Sequence, residues 1–362
     1  MSSQVAESYD AFARLEPRWK AIADAGGVQT PYQSFAWLDQ WLRHRGRGVE
    51  PYVLVIQDGA TIAPLGILRV AGVRLLRLLG TGDSDYPSLV TALPVDDAWD
   101  RVARELAQRR TAWDVLHLHS VRDREAIVIA LKRHIGTAGR DRPYEVCPWV
   151  PINGSRKELL ASRGKKLRDE IKRWTRRVEA LGEVSVEVLG PPVPETVITE
   201  LEAVERASWK WESGEAALRP GPQRDFLCAV LQDPRMELQL WLLRISGRLV
   251  AFDLVLVAQK SLYCYVGAFR QDHRHAGSYN FARIIEAACS SGFTCVDLLR
   301  GPHPWKYAWT DHENIVYEIV WPSNLRGQAS ALVYAARWKA AQSSFLRHLR
   351  SHLWRIGDRR RS

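Results

Sequence analysis

The chain reads as an α/β protein of the α+β kind. Two tandem lobes are expected, each a mixed, mostly antiparallel sheet flanked by helices. Three observations carry this. Apolar runs of strand length alternate with amphipathic helical stretches through most of the 362 residues. The order hairpin, strand, polar loop, helix, strand occurs twice. The length suffices for two cores, and 46% hydrophobic with 25% charged residues is the balance of a soluble globular protein.

The elements follow in chain order. In PYQSFAWLDQWLRHRG, Phe35, Leu38, Trp41 and Leu42 have helical spacing, and Gly46 can end that helix. PYVLVIQDGATIAPLGILRV is two apolar runs around Asp58-Gly59, a hairpin signal. GVRLLRLLGTGDSDYPSLV is a strand entering a Gly/Asp/Ser loop, a helix covers Asp96 to Arg110, and WDVLHLHSV is the next strand. Two prolines, Asn and Gly between Pro148 and Ser155 mark a linker, and Leu189 to Glu195 is a rigid connector. The second half then gives a hairpin around Ser246-Gly247, the strand SLYCYVGAF, the loop RQDHRHAGS, the helix YNFARIIEAACSSG and the strand CVDLLRG. From hairpin turn to the later strand's Asp (Asp114 or Asp297) is about 55 residues in one half and about 50 in the other, which suggests a duplicated unit. A last amphipathic helix runs from about Ala329 to Trp354 and ends in a basic tail. The expected organisation is 1–150, 151–328 and 329–362.

The formal net charge of +10 favours an anionic partner: a phosphate-bearing cofactor, nucleic acid, an acidic glycan or an anionic membrane surface. Five scattered cysteines, never spaced CxxC, argue for reduced thiols in the cytoplasm and against a structural zinc site. The N-terminus lacks the basic-then-apolar pattern of a signal peptide, and no run is long and apolar enough to span a bilayer. GxSxG, GxxxxGK[ST], HExxH and a strand-linked GxGxxG are all missing, which disfavours serine hydrolases, P-loop NTPases, zincins and Rossmann dehydrogenases.

The segment VDLLRGPHPWKYAWT is the most informative. An apolar strand ends in Asp297, Arg300 and Gly301, two prolines force a tight excursion, and Lys306 follows between Trp305 and Tyr307. Charged groups held at a strand end by a rigid turn suit a reactive site, and equally a salt-bridged solvated turn.

Together with PYQSFAWLDQW, GTGDSDYPSLV, RGKKLRDEIKRW, LEAVERASWKWESGEAAL and RHAGSYNFARIIEAACSSG, this segment resembles the double-GNAT acyltransferases of the BioF2-like or CelD/BcsL group, distant relatives of the Fem peptidyltransferases. The resemblance runs from about Thr30 to Trp321. It implies two GNAT-like lobes, the first on the acceptor side and the second on the acyl-donor side. It also implies transfer of an acyl group, most simply from acetyl-CoA or another acyl-CoA as co-substrate, to an amine, without a metal. The chain departs from the usual phosphate loop, R/Q-x-x-G-x-G/A: Arg274 and Gly277 fit, but Tyr279 stands where a small residue is expected.

The chemistry assigns expected roles. A strand leading through RHAGS into a helix aims free N–H groups at one spot, where Gly277, Ser278, Arg270 and Arg274 suit phosphate. An attacking amine must lose a proton, for which Asp297 and Glu205 are candidates. Backbone N–H groups near Val266 and Gly267 suit the oxyanion, Lys306 can stabilise negative charge, and Arg300 can clamp a carboxylate or phosphate. Asp85, Tyr86, Trp209, Lys210, Trp305 and Trp309 are candidate acceptor contacts. Each has a structural alternative: an ion pair for Asp297 and Glu205, a strand–helix loop for RHAGS, a hairpin-type turn for Asp85 and Tyr86. His117 and His119 read as strand-surface or interface residues, not metal ligands.

The basic helix from Ser162 to Gly182 carries Lys165, Lys166, Arg168, Lys172, Arg173, Arg176 and Arg177, a solvated face or a grip on phosphates. Two rival functions follow from these features. One is a Fem-like transferase using aminoacyl-tRNA. The other is a non-enzymatic module binding an acidic glycan or protein. The C-terminal stripe of Phe345, Leu349 and Leu353 can dock on the body or contact a membrane peripherally.

Overall fold

The computed structural model describes residues 3–56 and 59–334. Residues 325–334 are helical, so the predicted C-terminal helix begins inside the described residues and its remainder lies outside them. The first half holds strands β1 (Ser3–Ala6), β2 (Val49–Pro51), β3 (Val53–Ile56), β4 (Thr61–Ala63), β5 (Leu65–Val70), β6 (Val73–Leu78), β7 (Val90–Thr91), β8 (Val115–Val121) and β9 (Arg140–Pro151). Its helices are α1 (Tyr9–Ala13), α2 (Glu16–Ile22), α3 (Phe35–His44), α4 (Val95–Gln108) and α5 (Arg124–His134). The second half holds α6 (Arg156–Ser162), α7 (Lys165–Glu179), β10 (Val184–Leu189), α8 (Glu195–Arg206), α9 (Trp209–Ser213) and α10 (Pro222–Gln232). It continues through β11 (Leu238–Ile245), β12 (Arg248–Ala258), β13 (Ser261–Phe269), α11 (Ala276–Ser290), β14 (Cys295–Asp297) and β15 (Glu313–Pro322).

The expected mixed sheets flanked by helices are present, and they join. One eleven-stranded sheet runs β10-β11-β12-β13-β14-β9-β15-β8-β6-β5-β2, beside a four-stranded sheet β1-β3-β4-β7. Each half contains a strand, a crossover helix and a parallel strand: β6-α4-β8 and β13-α11-β14. The closing strands are exchanged. The first half's last strand, β9, pairs with β14, and the second half's last strand, β15, pairs with β8, while β9 and β15 pair with each other.

The hairpin expected around Asp58-Gly59 bends across both sheets. Its two arms keep one register, Val49 facing Leu68 and Leu54 facing Ala63, with the Tyr52 N–H donating to the Leu65 carbonyl at 2.8 Å between them. Pro51 and Pro64 stand at the bend, where a missing N–H donor breaks the ladder. The second hairpin, β11–β12, turns at Ser246-Gly247 as its sequence requires.

The halves also share a core. Trp19, Trp37 and Val53 of the first half belong to one buried cluster with Leu201, Phe226 and Leu254 of the second. Trp37 meets Phe226 edge-on at 4.9 Å. Burying side chains of this size is worth about 1.5–3 kcal/mol each, so α3 is a joint between halves as well as a helix.

Candidate active site

The site forms where β13 and β14 separate. They pair in parallel at only three positions, ending with Tyr263 opposite Asp297. Past Asp297 the chain stays with β9, the Leu298 N–H donating to the Pro148 carbonyl at 2.9 Å and the Gly301 N–H to the Val146 carbonyl at 3.0 Å. β13 instead follows β12 as far as Phe269, with a bulge at Tyr265. From Cys264 to Phe269, β13 therefore has a strand neighbour on one side only, and backbone groups on the other side face a gap. Of the expected oxyanion donors on this parted segment, Gly267 faces the gap, whereas the backbone groups of Val266 face Leu254 of β12, in phase with the Arg270 N–H that donates to the Val250 carbonyl.

Asp297 sits at the apex. The Tyr86 hydroxyl lies 3.0 and 2.9 Å from its two carboxylate oxygens, and the Leu299 N–H donates to Oδ1 at 2.8 Å. Burial raises the carboxyl from its ordinary value to about 6, against the lowering effect of those bonds. The Arg122 guanidinium lies 4.3 Å over the Tyr86 ring. Lys306 is turned inward, 4% exposed, and its Nζ donates to the carbonyls of Leu299 at 2.9 Å and Arg300 at 2.7 Å. Burial lowers its ammonium to about 8. Those two bonds hold the turn in which Leu299 takes a φ of 59°, so Lys306 shapes the wall after β14.

Other candidates are distributed around this apex. Arg300 spans the two halves: it pairs with Asp85, donates to Ser120 Oγ at 3.3 Å and reaches the Gly82 carbonyl at 3.5 Å. Its expected clamp on a substrate is thus made on the first half's loop. That loop is braced from α3, with Trp37 Nε1 donating to Ser84 Oγ at 2.9 Å and Trp41 Nε1 to Asp83 at 2.8 Å. Lys210 donates to the Gly267 carbonyl at 2.6 Å, on the edge of the gap. Trp209 and Trp305 are 45% and 49% exposed, while Trp309 is buried edge-on against Phe281 at 5.1 Å and is a core residue.

Glu205 has other partners. Fully buried, its two oxygens accept the N–H groups of Ala217 at 3.0 Å and Leu218 at 2.7 Å. That is the geometry of a loop anchor, in place of the expected proton relay. His117 bonds Glu318 of the second half at 2.8 Å, and His119 packs on Tyr144 of β9 at 4.0 Å. Among the described residues no group of three or more His, Cys, Asp or Glu is placed to hold a metal.

At the far end of the gap α11 begins. Ala276, Gly277 and Ser278 form its first turn, whose N–H groups have no intrahelical acceptor. Arg177 of α7 bonds His275 at 2.8 Å, and burial together with Arg177, Arg173 and Arg274 lowers that imidazole's pKa. A Cβ at Gly277 would stand 2.7 Å from the Phe269 ring, so this turn is a close cradle. Tyr279 does not enter the gap: it packs with Val178, Leu243 and Val250, on the side of β13 away from β14.

Sequence reasoning missed two features here. Tyr32 and Tyr263 flank Tyr86, and Tyr265 continues the aromatic wall beyond Tyr32. Asp253, a lone acid in the apolar strand β12, lies directly opposite Gly267. Its position in an otherwise apolar run was the available signal.

Residues 165–307 match the family described as "Acetyltransferase (GNAT) domain". The GNAT match covers β13, α11, β14 and the turn through Lys306, so the gap lies within it. Solved structures of low identity share the fold over most of the chain. One is the C-terminal domain of a putative lysylphosphatidylglycerol synthetase from Agrobacterium fabrum, with TM-score 0.60 at 14% identity, covering 90% of this chain and 96% of that one. Another is FemX, with TM-score 0.60 at 12% identity, covering 88% and 97%. L-PGS from Bacillus licheniformis gives 0.58 at 13%, covering 88% and 95%. No curated protein matches.

Proposed function

We propose that this chain transfers an acyl group from acyl-CoA, acetyl-CoA foremost, to an amine by direct attack in a ternary complex. The observation that carries this is the gap itself: β13 and β14 part beside Asp297, and the gap ends at a cationic helix N-terminus. The first turn of α11, with Arg274 and Arg177, suits the donor's pyrophosphate. The counterpart helix in the first half, α4, starts with Asp96 and Asp97, which repel phosphate. The donor therefore belongs to the second half, and the acceptor to the junction near Asp85, Tyr86, Trp209 and Trp305.

The residues then divide the work. The Gly267 N–H, which faces the gap while that of Val266 faces Leu254 of β12, meets the carbonyl oxygen as it becomes negative. Asp297, ionised at neutral pH and held by Tyr86, takes the proton from the attacking amine. Lys306 and Arg300 position the turn and the two halves. This assignment agrees with a BioF2-like kinship and a cytoplasmic setting, where acyl-CoA is available. Calorimetric titration with acetyl-CoA and longer acyl-CoAs tests it: one site per chain is expected, and no heat with any of them would refute it.

A second donor is favoured by one observation. Lys165, Lys166, Lys172, Arg173 and Arg176 are exposed along α7, continuing the cationic surface away from the start of α11 over roughly 20 Å. An aminoacyl-tRNA backbone would suit such a track. Gel shift with charged tRNA at several salt concentrations separates the two, because phosphate contacts give a steep salt slope.

A further inference from the structure

We propose that Asp253 is the acid that protonates the leaving thiolate, acting on the face of the sheet opposite to Asp297. The inference rests on the acyl-CoA reading above and assigns a residue to the half of the reaction left open there.

In β12, Phe252 and Leu254 point into the core shared with the first half, so Asp253 between them points to the α11 face. Asp297 lies on the other face, against Tyr86. Directly opposite Asp253 in register is Gly267, and a Cβ there would overlap Asp253 Oδ1. The missing side chain lets the carboxyl group lie over β13, beside the gap. Asn280 of α11 orients it, with Nδ2 donating to Oδ2 at 2.8 Å. Asn280 is fully buried, and its Oδ1 has no hydrogen-bond partner among the described residues.

The ionisable groups acting on Asp253 are Lys210 of α9 and Cys264 of β13; α11 presents neutral Asn280 and β11 presents Trp241. Burial raises Asp253 to about 7, so both protonation states are available at neutral pH. A donor whose phosphates sit at the start of α11 approaches on this same face, and its sulfur leaves here.

The step balances. The amine nitrogen bonds to the carbonyl carbon and the C=O pair moves onto oxygen. That pair returns, the C–S bond breaks, and sulfur takes the proton of Asp253 while Asp297 takes the proton of the amine. Exchange with water resets both carboxyl groups. A lower-pKa base and a higher-pKa acid on opposite faces is the division such chemistry needs.

The test is Asp253→Asn, which keeps the shape and the bond from Asn280, with Asn280→Ala beside it. For the wild type, kcat should fall above pH about 7 as the acid loses its proton. In Asp253→Asn kcat should drop about 100-fold and that limb should vanish. Asn280→Ala removes a bond that lowers the Asp253 pKa, so its limb should move upward. Calorimetry of free CoA in buffers of different ionisation enthalpy should show proton uptake near pH 7 in the wild type and none in Asp253→Asn. A wild type that transfers acyl groups, beside an Asp253→Asn variant with the same kcat, limb and proton uptake, overturns this inference alone. A wild type that binds no acyl-CoA overturns both it and the reading beneath it.

Discussion

Asp297 accepts from two donors, the Tyr86 hydroxyl between its oxygens and the Leu299 N–H, yet burial keeps its carboxyl near 6. Asp297→Asn should lower kcat by about 10²- to 10⁴-fold and remove the low-pH limb of the rate profile. The same shift has a sign in stability. A carboxyl raised in the fold favours the protonated state, so its contribution is complete below the unfolded value near 4 and lost as pH rises through 6. Chemical denaturation of Asp297→Asn should therefore depend less on pH between 4 and 6 than that of the wild type. Tyr86→Phe removes a bond that lowers the Asp297 pKa, and should raise the low-pH limb while destabilising the fold by about 1–3 kcal/mol. The strand end at Asp297 and the turn that carries Lys306 were legible because an apolar strand gave way to charge at a proline-rich turn. The inward course of Lys306 was not, because two backbone carbonyls, invisible in a sequence, attract its ammonium. Glu205 was misread for the same reason: its partners are the N–H groups of Ala217 and Leu218.

Among elements, α11 was readable from its amphipathic spacing, and its start from the RHAGS loop. What the sequence hid was the approach of α7, whose Arg177 reaches His275 from 98 positions away. Replacing Arg177 and Arg274 together with Ala should weaken acyl-CoA binding about tenfold and flatten its salt dependence, read by calorimetry at two ionic strengths. Gly277→Val should act more strongly and should also lower the melting temperature, because a Cβ there would stand 2.7 Å from the Phe269 ring and the turn must shift to admit it. The departure at Tyr279 is explained by packing: the ring fills a buried cluster under α11 and carries Arg283 at 4.8 Å over its face. A small residue there would leave a cavity.

At the scale of the whole molecule, the repeat was visible as a matched order of hairpin, strand, helix and strand, but the exchange of β9 and β15 was not. Strand order depends on pairing between segments more than a hundred residues apart, which no local pattern encodes. Each half lends the other its closing strand, and the halves share one core around Trp37 and Phe226. Denaturant unfolding should accordingly be a single transition, with tryptophan fluorescence and far-ultraviolet dichroism coincident, and neither half should fold alone. The exchange also puts β9 beside β14, which draws the chain after Asp297 away from β13 and so makes the gap. A crystal structure with a non-hydrolysable acyl-CoA tests that gap most directly. The account predicts pyrophosphate on the first turn of α11 and the acyl carbonyl within hydrogen-bonding reach of the Gly267 N–H. Density for the nucleotide elsewhere, with β13 still bare along the gap, would contradict it.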